Sequence, residues 1–339
     1  MEERSFCDML LAINEFSKTV VENDVQRRDI FETFDDKLQG NIADMGLYGI
    51  TLPETMNGLG LNYYEYIKII ECIAKVDCSL ALSIAISNTL GLEPMCIGGA
   101  SVDLESVLCG EEYITAGFLN KCHIYILNDV KRLKYINLFS PDGTIMTVER
   151  EGLNLMRPQL LKNKLGLRSM QIAVIDETIS PIKSCWSFDS QKTVANFNLA
   201  LGGVALGASK GVYNKVKRYT GERKLVGKPL NNYEINAFKL ADMAISIHSM
   251  EKILYAACLK KDADSNYETE AIITKIFAMD KFKNISDEGI QLMGAYGLSR
   301  EYDIERFYRD QRMMQIIWNS ENADKKILTE SILKETSYE

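Results

Sequence analysis

EGIQLMGAYGLSREYDIERFYRD, Glu288 to Asp310, writes a helix, a turn and a second helix in one line. Just before it, Ile272, Ile276, Met279 and Phe282 recur at helical spacing and form one apolar stripe. Gly294 and Gly297 interrupt the pattern, as a tight turn between helices requires. Helical periodicity resumes through RDQRMMQ, Arg309 to Gln315, and a further helix is expected after Trp318-Asn319-Ser320. Asn319 or Ser320 would cap it. Glu321 and Asp324 fall in its first turn, where the helix dipole favours acids.

Working outward, Ala205, Ala208, Val212 and Val216 form a second stripe, and Phe238, Ala241, Ile245 and His248 a third. Long helices stacked in sequence predict an antiparallel bundle. The first third is also helical: Phe6, Met9, Leu10, Ile13 and Phe16 share a face, and the pattern returns over 64–74 and 79–90. Asp77 and Ser79 are candidate caps at the break between those two segments. A loop carrying Pro53, Gly58 and Gly60 precedes them. From Glu112 to Pro181 the texture changes to short β-like runs, YITAGFL, HIYIL, LKYINLF, TIMTV and QIAVI, with Pro141-Asp142-Gly143 as a turn signal. The expected fold class is therefore α+β and mostly α. It has a helical domain over 1–111, a small β-domain over 112–190 and a helical bundle over 191–339.

The 339 residues carry a net charge of -8, which argues against nucleic acid or an anionic membrane surface as a partner. No apolar run reaches the ~18–20 residues a membrane helix needs. The start, MEERSFCDMLLAINEF, lacks a basic leader, so a cytoplasmic location is expected. The eight cysteines form no CxxC pair and mostly have apolar neighbours, which predicts buried free thiols. With only His123 and His248 present and no zinc-like spacing, no metal site is expected. His248, inside a helical pattern, is expected to be a packed or edge residue.

Four stretches carry a resemblance to the acyl-CoA dehydrogenase family: GLYGITLPETMNGLGLNYYEYIKIIECIAKVDCSLAL (46–82), KLGLRSMQIAVIDETISPI (164–182), YTGERKLVGKPLNNYEINAFKLADM (219–243) and the stretch quoted first. They span most of the chain and keep the family's order. The resemblance implies a helical domain, a β-domain and a four-helix bundle that assembles into dimers or tetramers. It also implies flavin adenine dinucleotide (FAD) between β-domain and bundle, its site completed by a neighbouring subunit. The family's reaction needs a base for the α proton, donors for the thioester carbonyl and a flavin to accept the β hydride.

Measured against that pattern, the chain departs at the chemistry. The family's glutamate before a Gly-Thr pair aligns with Trp318, the glycine with Asn319 and the threonine with Ser320. The alternative glutamate position, before an arginine on an earlier helix, holds Phe197 followed by Asn198. No catalytic residue stands at either usual place, and Glu321 and Asp324 are the candidate substitutes. In the β-domain the Thr-Glu-Pro loop is reduced to Leu119-Asn120-Lys121, and the Trp-Ile-Thr strand is read as absent. Elements that serve the neighbour's flavin are better kept: Arg223 matches the arginine at its pyrophosphate. Gln291 and Gly294 match the loop near its adenosine, and Ser320 and Asn322 retain hydroxyl and amide character. The family's glutamine and phenylalanine after Arg223 are Leu225 and Val226 here.

Three functions fit these residues. One is a non-catalytic partner subunit that pairs with a full-length acyl-CoA dehydrogenase homologue and lends Arg223, Gln291 and Gly294 to its flavin. Another is altered, flavin-independent chemistry on an acyl-CoA or acyl-carrier-protein thioester. The third is an active dehydrogenase with a relocated base. FAD is expected only at a site shared across a subunit interface and is expected to be absent from the isolated chain. Homo- or hetero-oligomerisation is expected through the helices of the bundle.

Overall fold

The computed structural model describes residues 3–33, 35–97, 104–119, 123–127, 132–140, 143–149, 159–176, 186–317 and 321–335. The N-terminal part is helical: α1 (Glu3–Phe16), α2 (Glu22–Phe31), α3 (Asp36–Asp44), α4 (Tyr63–Ala74), α5 (Cys78–Ala85), α6 (Glu93–Ile97) and α7 (Glu105–Leu108). α5 runs into α6 through a π-helical stretch, Ile86–Leu92. The α4 start is written locally as a capping box. Asn62 Oδ1 accepts the Glu65 N–H at 2.9 Å, and Glu65 Oε2 accepts the Asn62 N–H at 3.1 Å. Of the two candidate caps for α5, Asp77 performs the task, accepting the Leu80 N–H at 3.1 Å. Ser79 lies inside the helix.

Seven strands form one sheet: β1 (Tyr113–Leu119), β2 (His123–Leu127), β3 (Leu133–Phe139), β4 (Thr144–Glu149), β5 (Gln159–Leu160), β6 (Ile172–Asp176) and β7 (Trp186–Asp189). Their order is β5-β6-β2-β1-β3-β4-β7, with β1 and β3 parallel and the other pairs antiparallel. β3, the expected run LKYINLF, is a central strand and contains Tyr135-Ile136-Asn137. Of the expected turn, Pro141 and Asp142 lie outside the described residues, and Gly143 has the positive φ of +88° that a turn glycine supplies.

The C-terminal part contains α8 (Gln191–Glu222), a short hairpin β8–β9 (Lys224–Leu225, Lys228–Pro229), α9 (Glu234–Asp262), α10 (Glu268–Met293), α11 (Ile304–Met314) and α12 (Glu321–Glu335). α8 is the axis of the molecule, packing against α10, α9, α4 and α5. Its Gly207 and Gly211 lie directly against the backbone of α4. A Cβ at Gly207 would come within 2.4 Å of the Glu71 carbonyl oxygen, and one at Gly211 within 2.2 Å of that of Lys75. Two helices can approach this closely only where side chains are missing. α9 ties the bundle to α4 from its far end, where the Asp262 carboxylate accepts the N–H groups of Tyr63 and Tyr64 at 2.7 and 3.0 Å. A carboxylate at a helix N-terminus satisfies orphan donors and meets the positive end of the dipole.

No helix among the described residues is long and apolar enough to cross a membrane. The cysteines are more varied than expected: Cys78 and Cys258 are buried, Cys72 and Cys96 partly so, and Cys7 and Cys109 exposed. Cys122 and Cys185 lie outside the described residues. His248 is an exposed edge residue, its Nδ1 3.9 Å from Glu251.

Candidate functional site

Phe197, which the resemblance places at the family's second base position, is on the first turns of α8 and is fully buried in the main core. One residue earlier, Asn196 enters a buried polar knot. Its Nδ2 donates to Glu93 Oε2 at 2.7 Å, while its Oδ1 accepts from the Tyr267 hydroxyl at 2.6 Å. Glu93 also accepts from Thr51 Oγ1 at 2.8 Å and the Tyr63 hydroxyl at 3.0 Å. Burial pushes the Glu93 carboxyl above its ordinary range, against the pull of Lys261 and these three donors. Glu93 is thus a cross-brace among the loop after α3, α4, α6 and α8. On the other side of Phe197, Asn198 Oδ1 is buried without a hydrogen-bond partner among the described residues.

Trp318, Asn319 and Ser320 lie outside the described residues, so the geometry at the family's first base position is not described. The two candidate substitutes just beyond it are on α12. Glu321 is exposed and ion-paired with Lys325 one turn on. Asp324 is buried and faces Lys275 of α10 at 2.6 Å, both side chains almost fully excluded from solvent. Burial lowers the Lys275 pKa while Asp324 raises it. The carboxylate is thus already engaged by a countercharge. Asn322 is exposed on the same turn.

Of the residues matched to the neighbour's flavin, Arg223, Gln291 and Gly294 fall towards the opposite end of α10. Gln291 is exposed on its last turn, about 24 Å along the helix axis from Lys275 at 1.5 Å per residue. Gly294 follows as the cap, with φ 60° and ψ −137°, and no atom lies within 4 Å of the place a Cβ would occupy. Arg223 caps α8, its N–H donating to the Tyr219 carbonyl at 2.8 Å. The hairpin after it turns at Val226 and Gly227, both at positive φ (48° and 78°), and Val226 is 90% exposed.

Arg223 and the Gly294 turn are joined by a residue that no sequence pattern singles out. The Arg223 guanidinium lies over the ring of Tyr296, 5.8 Å from its centroid. Tyr296 in turn packs against Tyr302 (5.2 Å between ring centroids) and Tyr219 (6.2 Å). Arg223 makes no ion pair among the described residues. The arginines of α11 and of the loop before β6 differ in this: Arg309 pairs with Asp29 and Glu305, Arg312 with Asp287, and Arg168 with Glu32. Arg168, Arg300 and Arg309 border a cleft of about 500 Å3 between the Gly294 turn and α11, where the charges of Arg168 and Arg309 are already countered.

In the β-domain, Asn137 of β3 is committed inward. Its Nδ2 donates to the carbonyls of Leu90 and Gly91 at 2.8 and 2.7 Å, and its Oδ1 accepts from Thr147 Oγ1 at 2.7 Å. Asn120 and Lys121 of the shortened loop lie outside the described residues. No group of three or more His, Cys, Asp or Glu that could hold a metal occurs among the described residues.

The helical domain, the small sheet and the bundle around α8 define a chain of the acyl-CoA dehydrogenase family, and the protein belongs to it. The acyl-CoA dehydrogenase N-terminal domain model matches residues 3–102 and the C-terminal domain model residues 190–333. The chain is 24% identical to a benzylmalonyl-CoA dehydrogenase of Aromatoleum aromaticum, covering 85% of this chain and 87% of the relative. It is 22% identical to a subunit of a caffeyl-CoA reductase-Etf complex of Acetobacterium woodii, covering 89% and 90%. Among solved structures, butyryl-CoA dehydrogenase of Megasphaera elsdenii superposes with a TM-score of 0.82 at 20% identity, over 97% of this chain and 98% of that one. A glutaryl-CoA dehydrogenase of Mycobacterium smegmatis in complex with FADH2 superposes at 0.84 with 14% identity, over 98% and 95%. These two likenesses establish the fold.

Proposed function

We propose that this chain is a non-catalytic, cytoplasmic partner subunit of a flavin-dependent acyl-thioester dehydrogenase. The observation that carries the reading is an asymmetry between its two faces. On the side where the family abstracts a proton, Phe197 is sealed in the core and Asp324 is consumed by Lys275. On the side that would serve a neighbour, Arg223 carries an uncancelled charge beside the open main chain of Gly294.

Hydride acceptance is the chemistry a flavin supplies in this family. The fit of this chain to FAD is therefore one-sided. Arg223, Gln291 and Gly294 would hold the phosphates and adenosine of a flavin seated mainly in the partner, with Ser320 and Asn322 as the chain's remaining polar contributors. Asn137, committed to Leu90, Gly91 and Thr147, has no Nδ2 hydrogen left for a ring in its own subunit.

Assembly through the bundle has its own support. α9 buries Met243, Ile247, Met250 and Leu254 on one side, yet leaves Ile235, Phe238 and Ile245 exposed on another. A helix apolar on two faces has one to spare for another subunit. The test is co-expression with a full-length acyl-CoA dehydrogenase homologue. The expected result is a mixed complex whose flavin content falls with Arg223→Ala in this chain. Two homologues that purify apart, each with its own flavin, would contradict the reading.

A further inference from the structure

Arg300 differs from the other arginines of the cleft between the Gly294 turn and α11. Arg309 is held by Asp29 and Glu305, and Arg168 by Glu32, whereas Arg300 makes no ion pair among the described residues. Its main chain is nevertheless fixed. The Arg300 carbonyl accepts from Gln26 Nε2 of α2 at 2.8 Å and from the Asp303 N–H at 3.2 Å. The acids of the cleft are engaged elsewhere: Asp287 pairs with Arg312 at 3.1 Å and Glu305 with Arg309 at 2.6 Å. Arg168 has a donor to spare as well, since its buried Nε lies 3.2 Å from Glu32 Oε1 without a hydrogen bond. A guanidinium offers parallel donors in one plane, which matches the two oxygens of a carboxylate.

The walls between these arginines include apolar groups. Ile290 of α10, Leu298 of the turn and Tyr308 of α11 line the same cleft. Leu298 is 71% exposed, yet the turn that carries it is pinned to α10, since a Cβ at Gly297 would come within 2.7 Å of the Ile290 carbonyl oxygen. A concave space of about 500 Å3 with apolar walls and a few placed donors has the form of a small-molecule site. An inorganic anion would leave the apolar walls in water. A neutral chain would leave Arg300 without a partner.

We propose that this cleft binds a carboxylic acid with a short or medium alkyl chain. Its carboxylate rests on the Arg300 guanidinium and its chain lies along Leu298, Ile290 and Tyr308. The site is separate from Arg223, Gln291 and Gly294, none of which lines it, and it does not depend on the partner reading.

The test is binding of hexanoate, hexan-1-ol and inorganic phosphate to the full chain. Saturation-transfer NMR follows the first two, and phosphate is read by its competition with hexanoate. Hexanoate is expected to bind, and hexanol to bind about tenfold more weakly, because only the carboxylate makes charge-assisted hydrogen bonds. Arg300→Gln should weaken hexanoate by about tenfold and leave hexanol unchanged. Leu298→Ser should weaken both by about fivefold, through lost apolar contact. Arg218→Gln, which removes an exposed arginine of α8 outside the cleft, should change neither. Arg300 and Leu298 are exposed, so thermal melting should be unchanged in both variants. No hexanoate binding, hexanol as tight as hexanoate, or phosphate displacing hexanoate at equal concentration would each overturn the proposal. So would a silent Arg300→Gln, a silent Leu298→Ser, or an Arg218→Gln as weak as Arg300→Gln.

Discussion

Lys275 Nζ and Asp324 Oδ2 meet at 2.6 Å with both side chains buried, and this pair, with the Thr269–Ser331 hydroxyl contact at 2.9 Å, ties α12 to α10. Removing one member of a buried pair leaves the other charge desolvated, which typically costs ~3–5 kcal/mol. Asp324→Ala should therefore lower stability by that order in urea unfolding. The double variant Lys275→Met/Asp324→Leu should regain most of the loss. Glu321→Ala, which removes an exposed pair, should change stability by less than about 1 kcal/mol. Equal small effects at Asp324 and Glu321 would show that the buried pair does not hold the helix.

Gly211 tests the packing of α8 on α4. A methyl group there would meet the Lys75 carbonyl oxygen and the ring of Phe307, so the helices must part to admit it. Overpacking of this kind costs ~1–3 kcal/mol or more, which outweighs the ~1 kcal/mol that alanine gains over glycine in a helix. Gly211→Ala should thus lower the melting temperature, and Gly207→Ala should do the same. Gly221→Ala, whose nearest neighbour is the Asn231 amide nitrogen at 3.5 Å, should not.

Arg306 stands between two carboxylates that titrate in opposite directions. Burial pushes Asp303 up, but its two hydrogen bonds with Arg306, at 2.8 and 2.7 Å, and the nearby Lys215 hold it below its ordinary value. Burial pushes Asp310 up to about 7, because Arg306 is 3.7 Å from its Oδ2 and only the Leu167 N–H bonds its Oδ1. A lowered carboxyl stabilises the fold above its unfolded pKa, and that contribution is lost as pH falls. A raised one does the reverse: the fold binds its proton more tightly, and stability is lost as pH climbs from about 4 towards 7. Asp310→Asn keeps an acceptor for Leu167 and removes the titration. The variant should gain on the wild type between pH 5 and pH 8, by on the order of 2 kcal/mol in urea unfolding. Parallel pH profiles would contradict this assignment.

The strands were legible because β-branched and aromatic residues in YITAGFL, HIYIL, LKYINLF, TIMTV and QIAVI state their preference locally, and all five appear as β1, β2, β3, β4 and β6. β5 and β7 are two and four residues long and exist through their pairing with β6 and β4, which no local pattern announces. Phe238 and Ile245 form a stripe at helical spacing, but periodicity does not say which stripe of a doubly apolar helix faces the core. The contact between Arg223 and Tyr296 is half legible. Arg223 and Gly294 were visible through family resemblance, whereas Tyr296 sits in a glycine-rich turn and touches Arg223 only through the tertiary fold. The Glu93 knot was not legible, since its partners Thr51, Tyr63 and Asn196 come from three other segments.

On the partner-subunit proposal, this chain lacks its own proton abstraction. The measurement that reaches it most directly is turnover of an acyl-CoA thioester by the isolated wild-type chain, with FAD and an electron acceptor supplied. Loss of a positioned base alone typically costs ~10²–10⁴ in rate, and Phe197 is sealed in the core. We expect no dehydrogenation above background, and none after Trp318→Glu. Turnover by the wild-type chain that disappears on Glu321→Gln or Asp324→Asn would contradict it, and would place a working base on α12.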